Sequence, residues 1–459
     1  MKLRRILIAN RGEIAGRIIR SCRKLGIETV LAASEADLDS VPARLADITV
    51  CIGSSRAAQS YLDVERVLAA AKATKADAIH PGYGFLSENA LLARACKSAG
   101  IVFIGPEETH LANLGDKLRA RQHALAAGLP VVPGAQVDNV EAALALAGDI
   151  GFPVLIKAVA GGGGRGMKRI NNESEMAPAM ALAMAEAEAS FGDPRIYVER
   201  FVEHGRHIEV QLLGDGRGNI IHLGERDCSI QRRYQKLIEE APAPGLDAAL
   251  RSAIHAAAVR FGTHLEYKSA GTVEFLVDEE RNEFYFLEMN ARIQVEHPVT
   301  EAITGLDLVA EQIVIEESGR IGLHQDAVRF SGHAVECRIN AEDPSNDFQP
   351  SPGTVCTALL PAGAGVRVDT HIEPGARVPP FYDSLLAKIV AYGTNREEAL
   401  ARMQLALHNC TIEGVSTSIA IHAEIMRDEA FKAGGVTTSF LPAFLSRTHD
   451  AFSRKVDQT

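Results

Sequence analysis

The stretch EMNARIQVEHP, residues 288–298, places a polar residue at every second position: Glu288, Asn290, Arg292, Gln294 and Glu296. Met289, Ala291, Ile293 and Val295 between them are apolar. An extended chain sends alternate side chains to opposite faces, so one face would carry carboxylate, amide, guanidinium, amide and carboxylate in a row. A half-buried strand with one wet face alternates in the same way without doing chemistry. The preceding GTVEFLVDEERNEFYFLEMN tips the balance, because two apolar runs around a polar turn at 278–282 have the pattern of a hairpin. If Leu276 faces Phe286, Glu274 faces Glu288. Two carboxylates directly opposed repel each other and are tolerable with a cation between them. Hard oxygen ligands completed by water and phosphate suit Mg²⁺. The pair points to a nucleotide.

A second stretch points the same way. LIKAVAGGGGRGMK carries Lys157 on an apolar run, then four glycines at 161–164, Arg165 and Gly166. It is not a Walker A motif, since no G-K-[ST] follows and MKRI continues as strand. Four glycines at a hairpin tip lose much conformational entropy on ordering, more than a plain structural turn requires. A flap whose backbone N–H groups close over phosphate oxygens would require them. Lys157 stands where it could meet a phosphate as a point charge.

These residues need elements to hold them. Residues 1–112 alternate short apolar runs (RILIAN, ETVLAA, DITVCIG, DAIHPGYG, IVFIG) with helical patterns (GEIAGRIIRSCRKLG, VERVLAAAKATKA), which implies a parallel sheet with crossover helices. The first turn, NRGEIAG, lacks the G-x-G-x-x-G dinucleotide fingerprint. A helix over DKLRARQHALAAG leads to the Pro/Gly joint LPVVPG. A smaller unit, 131–203, contains the glycine run, and a larger one, 204–330, contains the hairpins. TEAITGLDLVAEQIVIEESG reads as one amphipathic helix with Thr300 as N-cap and Gly319 past its end. Residues 331–447 return to mixed strand and helix.

Composition sets limits. The chain has 459 residues, 46% hydrophobic and 23% charged, with net charge −11. That balance argues against a general binder of nucleic acid or anionic membrane. No segment reaches the length of a membrane span. The seven cysteines are scattered, without C-x-x-C, which fits reduced thiols and a cytoplasmic setting.

ILIANRGEIAGRIIR, HPGYGFLSENA, KAVAGGGGRGM, GERDCSIQRRYQKLIEEAPAPG, FYFLEMNARIQVEHPVTE, AVECRINAEDP and VPPFYDSLLAKIVAYG occur in that order, from near the N-terminus to beyond residue 390. They resemble biotin carboxylase segments of the ATP-grasp superfamily over nearly the whole chain. The resemblance implies an α/β (in part α+β) ATP-grasp fold: an N-terminal Rossmann-like parallel-sheet domain, a mobile glycine-rich lid and a C-terminal biotin carboxylase domain. It implies ATP, Mg²⁺ (with Mn²⁺ as an alternative) and bicarbonate as ligands, and biotin borne on a separate carrier protein. By resemblance Glu274, Glu288 and Asn290 hold metal, while Lys236, Arg292, Gln294 and the Val295 backbone hold bicarbonate. Glu296 is the base, Arg292 stabilises anionic intermediates, and Arg338 stabilises the biotin enolate. Lys117, Lys157, Gly163 and Gly164 match ATP-phosphate positions. Glu199, Arg200, Phe201 and Val202 match the adenine stretch; His207, Gln231 and Tyr234 complete the nucleotide set with Glu274 and Glu288. Three positions depart from the family: Tyr234 replaces a frequent His or Asn, Arg200 a common Lys, and the flap is one glycine shorter than in some members.

No A-M-K-M biotin-attachment motif occurs. The expectation is therefore a free-standing subunit, homodimeric by resemblance, that serves a separate carrier and carboxyltransferase, with acetyl-CoA as the default final acceptor. Propionyl-, methylcrotonyl-, pyruvate- and urea-type systems stay open. Another ATP-grasp ligase forming an acyl phosphate would share the flap and the acids without needing RIQVEH or Arg338.

Overall fold

The computed structural model describes residues 2–159 and 167–447. Near the N-terminus the alternating runs build a parallel sheet. β1 (Arg5–Ile8), β2 (Glu28–Ala33), β3 (Ile48–Cys51), β4 (Ala78–His80) and β5 (Val102–Phe103) lie in the order β3-β2-β1-β4-β5. Helix α1 (Gly12–Lys24) follows β1, and its Ile14, Ile18, Ile19 and Cys22, at helical spacing, are buried. They share a core with Leu308, Val309 and Ile313 of the later helix Leu308–Ser318. Each such side chain contributes about 1.5–3 kcal/mol by leaving water, so this stripe welds the first sheet to the central part of the molecule.

A four-stranded antiparallel sheet comes next. β6 (Gly134–Val137), β7 (Val154–Ala158), β8 (Lys168–Ile170) and β9 (Ile196–Arg200) are ordered β6-β9-β7-β8. Helices Val140–Ile150 and Glu173–Phe191 cover one face through Ala143, Ala147, Met176 and Met180. The glycine turn at 161–166, with Gly163 and Gly164, lies outside the described residues.

The largest sheet has eight strands. β10 (Gly205–Asp215), β11 (Ile220–Arg232), β12 (Gln235–Ala241), β13 (Lys268–Asp278), β14 (Glu283–Asn290) and β15 (His333–Asn340) join the later strands Leu385–Gly393 and Val366–Thr370 in the order β14-β13-β10-β11-β12-β15-(385–393)-(366–370). β12 pairs directly with β15, so a boundary at 330 separates segments that share one sheet.

Three local expectations need correction. Glu274 does oppose Glu288, but Leu276 opposes Tyr285, not Phe286, because the register shifts between Glu274 and Phe275 and leaves Leu287 as an extra residue on β14. The alternating row at 288–296 is strand only as far as Asn290. Beyond it the chain bends, since the Ala291 N–H and the Arg292 guanidinium both turn to Glu88 (2.9 and 3.0 Å). The single helix expected over 300–319 is two, His297–Thr304 and Leu308–Ser318, so Thr300 is a helix-interior residue. Gly305 ends the first at φ 72°, and Asp307 caps the second by accepting from the Ala310 N–H. Among the described residues no helix is long and apolar enough to cross a membrane, and the seven cysteines are unpaired.

Candidate active site

On one face of the large sheet, side chains from four adjoining strands converge. Lys236 on β12 uses all three ammonium donors: to Glu209 Oε2 on β10, to Glu274 Oε1 on β13 (2.8 Å) and to Glu296 Oε1 (2.8 Å). Burial works against its charge, but the three carboxylates outweigh it and raise its pKa well above the lysine range. Glu209 is shared with the fully buried Arg226, whose Nε donates at 2.6 Å. Arg226 also donates to Gln211, Thr300 and Thr272 (2.9, 2.9 and 3.2 Å), so its buried charge is fully paired, as such a charge must be.

The bend after Asn290 brings its polar groups inward. Arg292 donates to Asn290 Oδ1 and Gln294 Oε1, both at 2.8 Å. Asn290 and Gln294 in turn donate to Glu274 Oε1 (2.8 and 3.0 Å). Burial alone would push the Glu274 carboxyl up, but Lys236 and then His207, whose Nε2 lies 3.0 Å from Oε2, hold it well below the usual carboxylate range. Arg338 on β15 donates through Nη2 to Glu296 Oε2 (2.8 Å) and through Nε to Glu239 Oε1 (2.6 Å). Glu296, fully buried, thus has a cation at each oxygen. The Glu239 carboxyl is pushed up to about 7 by burial, with Glu296 adding to it and Arg338 opposing.

Beside this cluster opens a cavity of about 310 Å³ between the four-stranded sheet and the large one. Lys117, Lys157, Glu199, Arg200, Phe201, Val202, His207, Gln231, Tyr234, Glu274 and Glu288 all line it, with Val132, Leu155, Leu276 and Phe286 supplying apolar wall. Lys157 Nζ is 2.6 Å from Glu199 Oε1. Lys117 opens the helix Lys117–Ala126, a position where a cation is unfavoured by the helix dipole. Gln231 Nε2 lies 3.0 Å from His207 Nδ1. Burial opposes a proton on His207, yet Glu274 outweighs it and raises the ring to about 9. Arg200 is turned toward the hairpin, its guanidinium 5.0 Å from the Tyr285 ring centroid. Tyr234 stands exposed on the rim, and both turn residues, Arg233 and Tyr234, have positive φ (48° and 65°). Such a turn favours Asn-Gly, and side chains here cost on the order of 1–2 kcal/mol each.

The donor set suits a hard divalent cation. Glu288 lines the cavity opposite Glu274, and its carboxyl is raised by burial and next by Glu274. A cation seated between these carboxylates would oppose both causes, and carboxylates with an amide oxygen are ligands for Mg²⁺ rather than for a thiophilic metal. Glu274, Glu288 and Asn290 are the residues that would hold it.

Several participants escaped the sequence reading. Glu209 was visible in principle: His207, Glu209 and Gln211 alternate on β10 just as the polar residues of 288–296 do in sequence. Lys388, a lone lysine within LLAKIVAYG, donates to the Val295 carbonyl (2.8 Å). Glu88 and Glu239 gave no local signal, because the arginine each one pairs with lies 204 or 99 residues away.

Residues 2–111 match the family model "Biotin carboxylase, N-terminal domain", 116–322 "Carbamoyl-phosphate synthase L chain, ATP binding domain", and 336–443 "Biotin carboxylase C-terminal domain". The chain is similar to Biotin carboxylase 1 of Bacillus subtilis, with 49% identity over 444 residues, 96% of this chain and 99% of the relative. It is similar to a pyruvate carboxylase subunit of Methanothermobacter thermautotrophicus, with 47% identity over 454 residues, 98% and 92%. Among solved structures it resembles the biotin carboxylase domain dimer of Hydrogenobacter thermophilus 2-oxoglutarate carboxylase in complex with MgADP, ADP and bicarbonate. There the TM-score is 0.92 and the identity 45%, covering 96% of this chain and 98% of that one.

Proposed function

The chain belongs to the biotin carboxylase family of ATP-dependent ligases, and on that premise we propose that it carboxylates biotin on a separate carrier protein, using ATP and bicarbonate by way of carboxyphosphate. The observation that carries this reading is Glu296, buried with Lys236 at one oxygen and Arg338 at the other. It links Lys236 of the cavity cluster to Arg338 on the neighbouring strand.

In this reading the cavity takes the adenine against Leu276, Phe286 and the 199–202 backbone, with Lys117 and Lys157 on the phosphates. A divalent cation held by Glu274, Glu288 and Asn290 would offset the negative charge of the phosphate oxygens. Bicarbonate sits among Lys236, Arg292, Gln294 and the Val295 N–H. Glu296 accepts its proton, and the freed oxygen attacks the γ-phosphorus while ADP leaves. Holding nucleophile and phosphate on adjoining strands converts an encounter in solution into a step within one site. The carboxyphosphate then splits into CO₂ and phosphate; the phosphate takes the N1 proton of biotin, negative charge gathers on the ureido oxygen, which Arg338 would stabilise, and N1 attacks the CO₂ to form carboxybiotin.

The final acceptor is proposed by class, an acyl-CoA or a 2-oxo acid. Acetyl-CoA stands beside pyruvate and 2-oxoglutarate, since relatives named for pyruvate and 2-oxoglutarate carboxylases match as broadly as those named biotin carboxylase. Affinity capture of the carrier and transferase from the source cell would decide among them. A homodimer is proposed on the same likeness.

The test is ATP hydrolysis by the purified chain with bicarbonate and free biotin varied separately, together with direct measurement of carboxybiotin. Hydrolysis should require bicarbonate, and carboxybiotin should form only when both are present. Hydrolysis indifferent to both, but stimulated by another carboxylate, would replace this reading with that of an acyl-phosphate ligase.

A further inference from the structure

The two peptide groups flanking Val295 are each held by a buried side chain. The Gln294 carbonyl lies 2.7 Å from His297 Nδ1. A carbonyl only accepts, so Nδ1 carries the proton. His297 is fully buried, and burial, followed by Lys388 and two arginines, holds it well below the ordinary histidine range and therefore neutral. On the other side the Val295 carbonyl accepts from Lys388 Nζ at 2.8 Å.

Lys388 is itself fully buried. It lies on the strand Leu385–Gly393, with Arg338 and Asp369 as its cross-strand neighbours. Its Nζ is 3.0 Å from Glu13 Oε1, in the first turn of α1, and Glu13 also receives the Tyr83 hydroxyl. One ammonium therefore joins three segments remote in sequence: the start of α1, the loop after β4 and the turn at 295. As a mere pin this is inefficient, because apolar residues of similar volume often stabilise a core as well as a buried ion pair does. What an ammonium adds is a directed hydrogen bond to one carbonyl. That bond fixes the plane of the Val295–Glu296 peptide and so the direction in which the Glu296 side chain leaves the backbone. The His297 bond does the same for the preceding peptide and so fixes where the Val295 N–H points.

We propose that Lys388 is a positioning residue for bicarbonate, holding the Val295–Glu296 peptide so that the Glu296 carboxylate meets the anion in a fixed relation to the Val295 N–H that the His297 bond orients, the whole tied to Glu13 of the N-terminal sheet domain. The proposal rests on the reading of this site as a bicarbonate site. Lys388 touches none of the reacting groups; it acts through the backbone.

The test compares wild type with Lys388→Met and with the double variant Glu13→Gln/Lys388→Met, which removes both partners of the buried pair; Asp369, the cross-strand acid that Lys388 also steadies, keeps its bonds to Arg20 and Arg367. ATP hydrolysis is measured against bicarbonate and against ATP. In the double variant the bicarbonate KM should rise roughly tenfold, the size of one lost hydrogen bond, while the ATP KM stays within about twofold. A folded double variant with an unchanged bicarbonate KM overturns the proposal, as does one in which both KM values rise by the same factor. A double variant that does not fold assigns the pair to the fold alone and overturns it equally. If wild-type hydrolysis does not depend on bicarbonate, the reading of the site fails first, and that outcome is visible before any variant is made.

Discussion

Glu274 and Glu288 face each other across a hairpin, yet they are chemically unlike. Glu274 is already satisfied by Lys236, Asn290, Gln294 and His207 and is held low. Glu288 is raised by burial and by Glu274. A carboxyl whose folded pKa lies above its unfolded value costs stability at every pH above the unfolded pKa. Glu288→Gln should therefore melt no lower than wild type without ligands. It should also raise the Mg²⁺ concentration for half-maximal ATP hydrolysis by at least roughly tenfold, a loss that even residues merely supporting a metal ligand produce. A magnesium titration of ATPase, beside a thermal melt, checks both halves. An unchanged magnesium requirement would take Glu288 out of the metal site. This opposed pair was legible from the polar turn and the two apolar runs. Glu209 and Arg226, equally buried in the same network, were passed over because charged residues inside strands read as a wet face until the sheet is known to be covered on both sides.

At the scale of elements, the misreadings have identifiable causes. The bulge at Leu287 is not written in the hydrophobic pattern, since one extra residue leaves both runs apolar; its effect is to place Leu287 on the cavity wall. The break at 305–307 was there to be read, as Gly followed by Asp two residues on is a helix end and a new N-cap, but the apolar period continues across it. Helix Ala248–His264 went unassigned, and one buried acid shows how it is held. Glu225 on β11 accepts from Arg251 Nε (2.8 Å) and faces His255 Nε2 (2.7 Å). Burial opposes its charge, but these partners lower the carboxyl to about 2. A depressed folded pKa gives stability that is present above the unfolded value near 4.5 and lost as pH falls toward the folded one. Glu225→Gln should thus destabilise by up to about 3 kcal/mol at pH 7. The gap from wild type in urea-unfolding free energy should narrow as pH falls from about 5 toward 2. Equal gaps at pH 7 and pH 3 would show that the pairing contributes nothing through charge.

For the whole molecule, alternation of strand and helix near the N-terminus was enough to predict a parallel sheet, whereas the strand order of the large sheet was not. Pairing of β10 with both β11 and β13, and of β12 with β15, joins segments whose local patterns do not name their partners. That order matters for function, because it carries one continuous sheet from the cavity to Arg338 and Lys388. Lys236, on β12, bonds one oxygen of Glu296, and Arg338, on the neighbouring β15, bonds the other. Arg338 is not among the residues lining the cavity, and Glu296 has a second cation in Lys236 (2.8 Å). Bicarbonate-dependent ATP hydrolysis should therefore remain measurable in Arg338→Ala. Biotin carboxylation should fall on the order of 100- to 1000-fold, because a fixed guanidinium aimed at the ureido oxygen stabilises the charge that develops in the transition state more than the neutral ground state. Measuring both activities on one preparation separates the outcomes. If they fall by the same factor, Arg338 serves bicarbonate or ATP; if neither falls, its proposed role toward biotin is wrong.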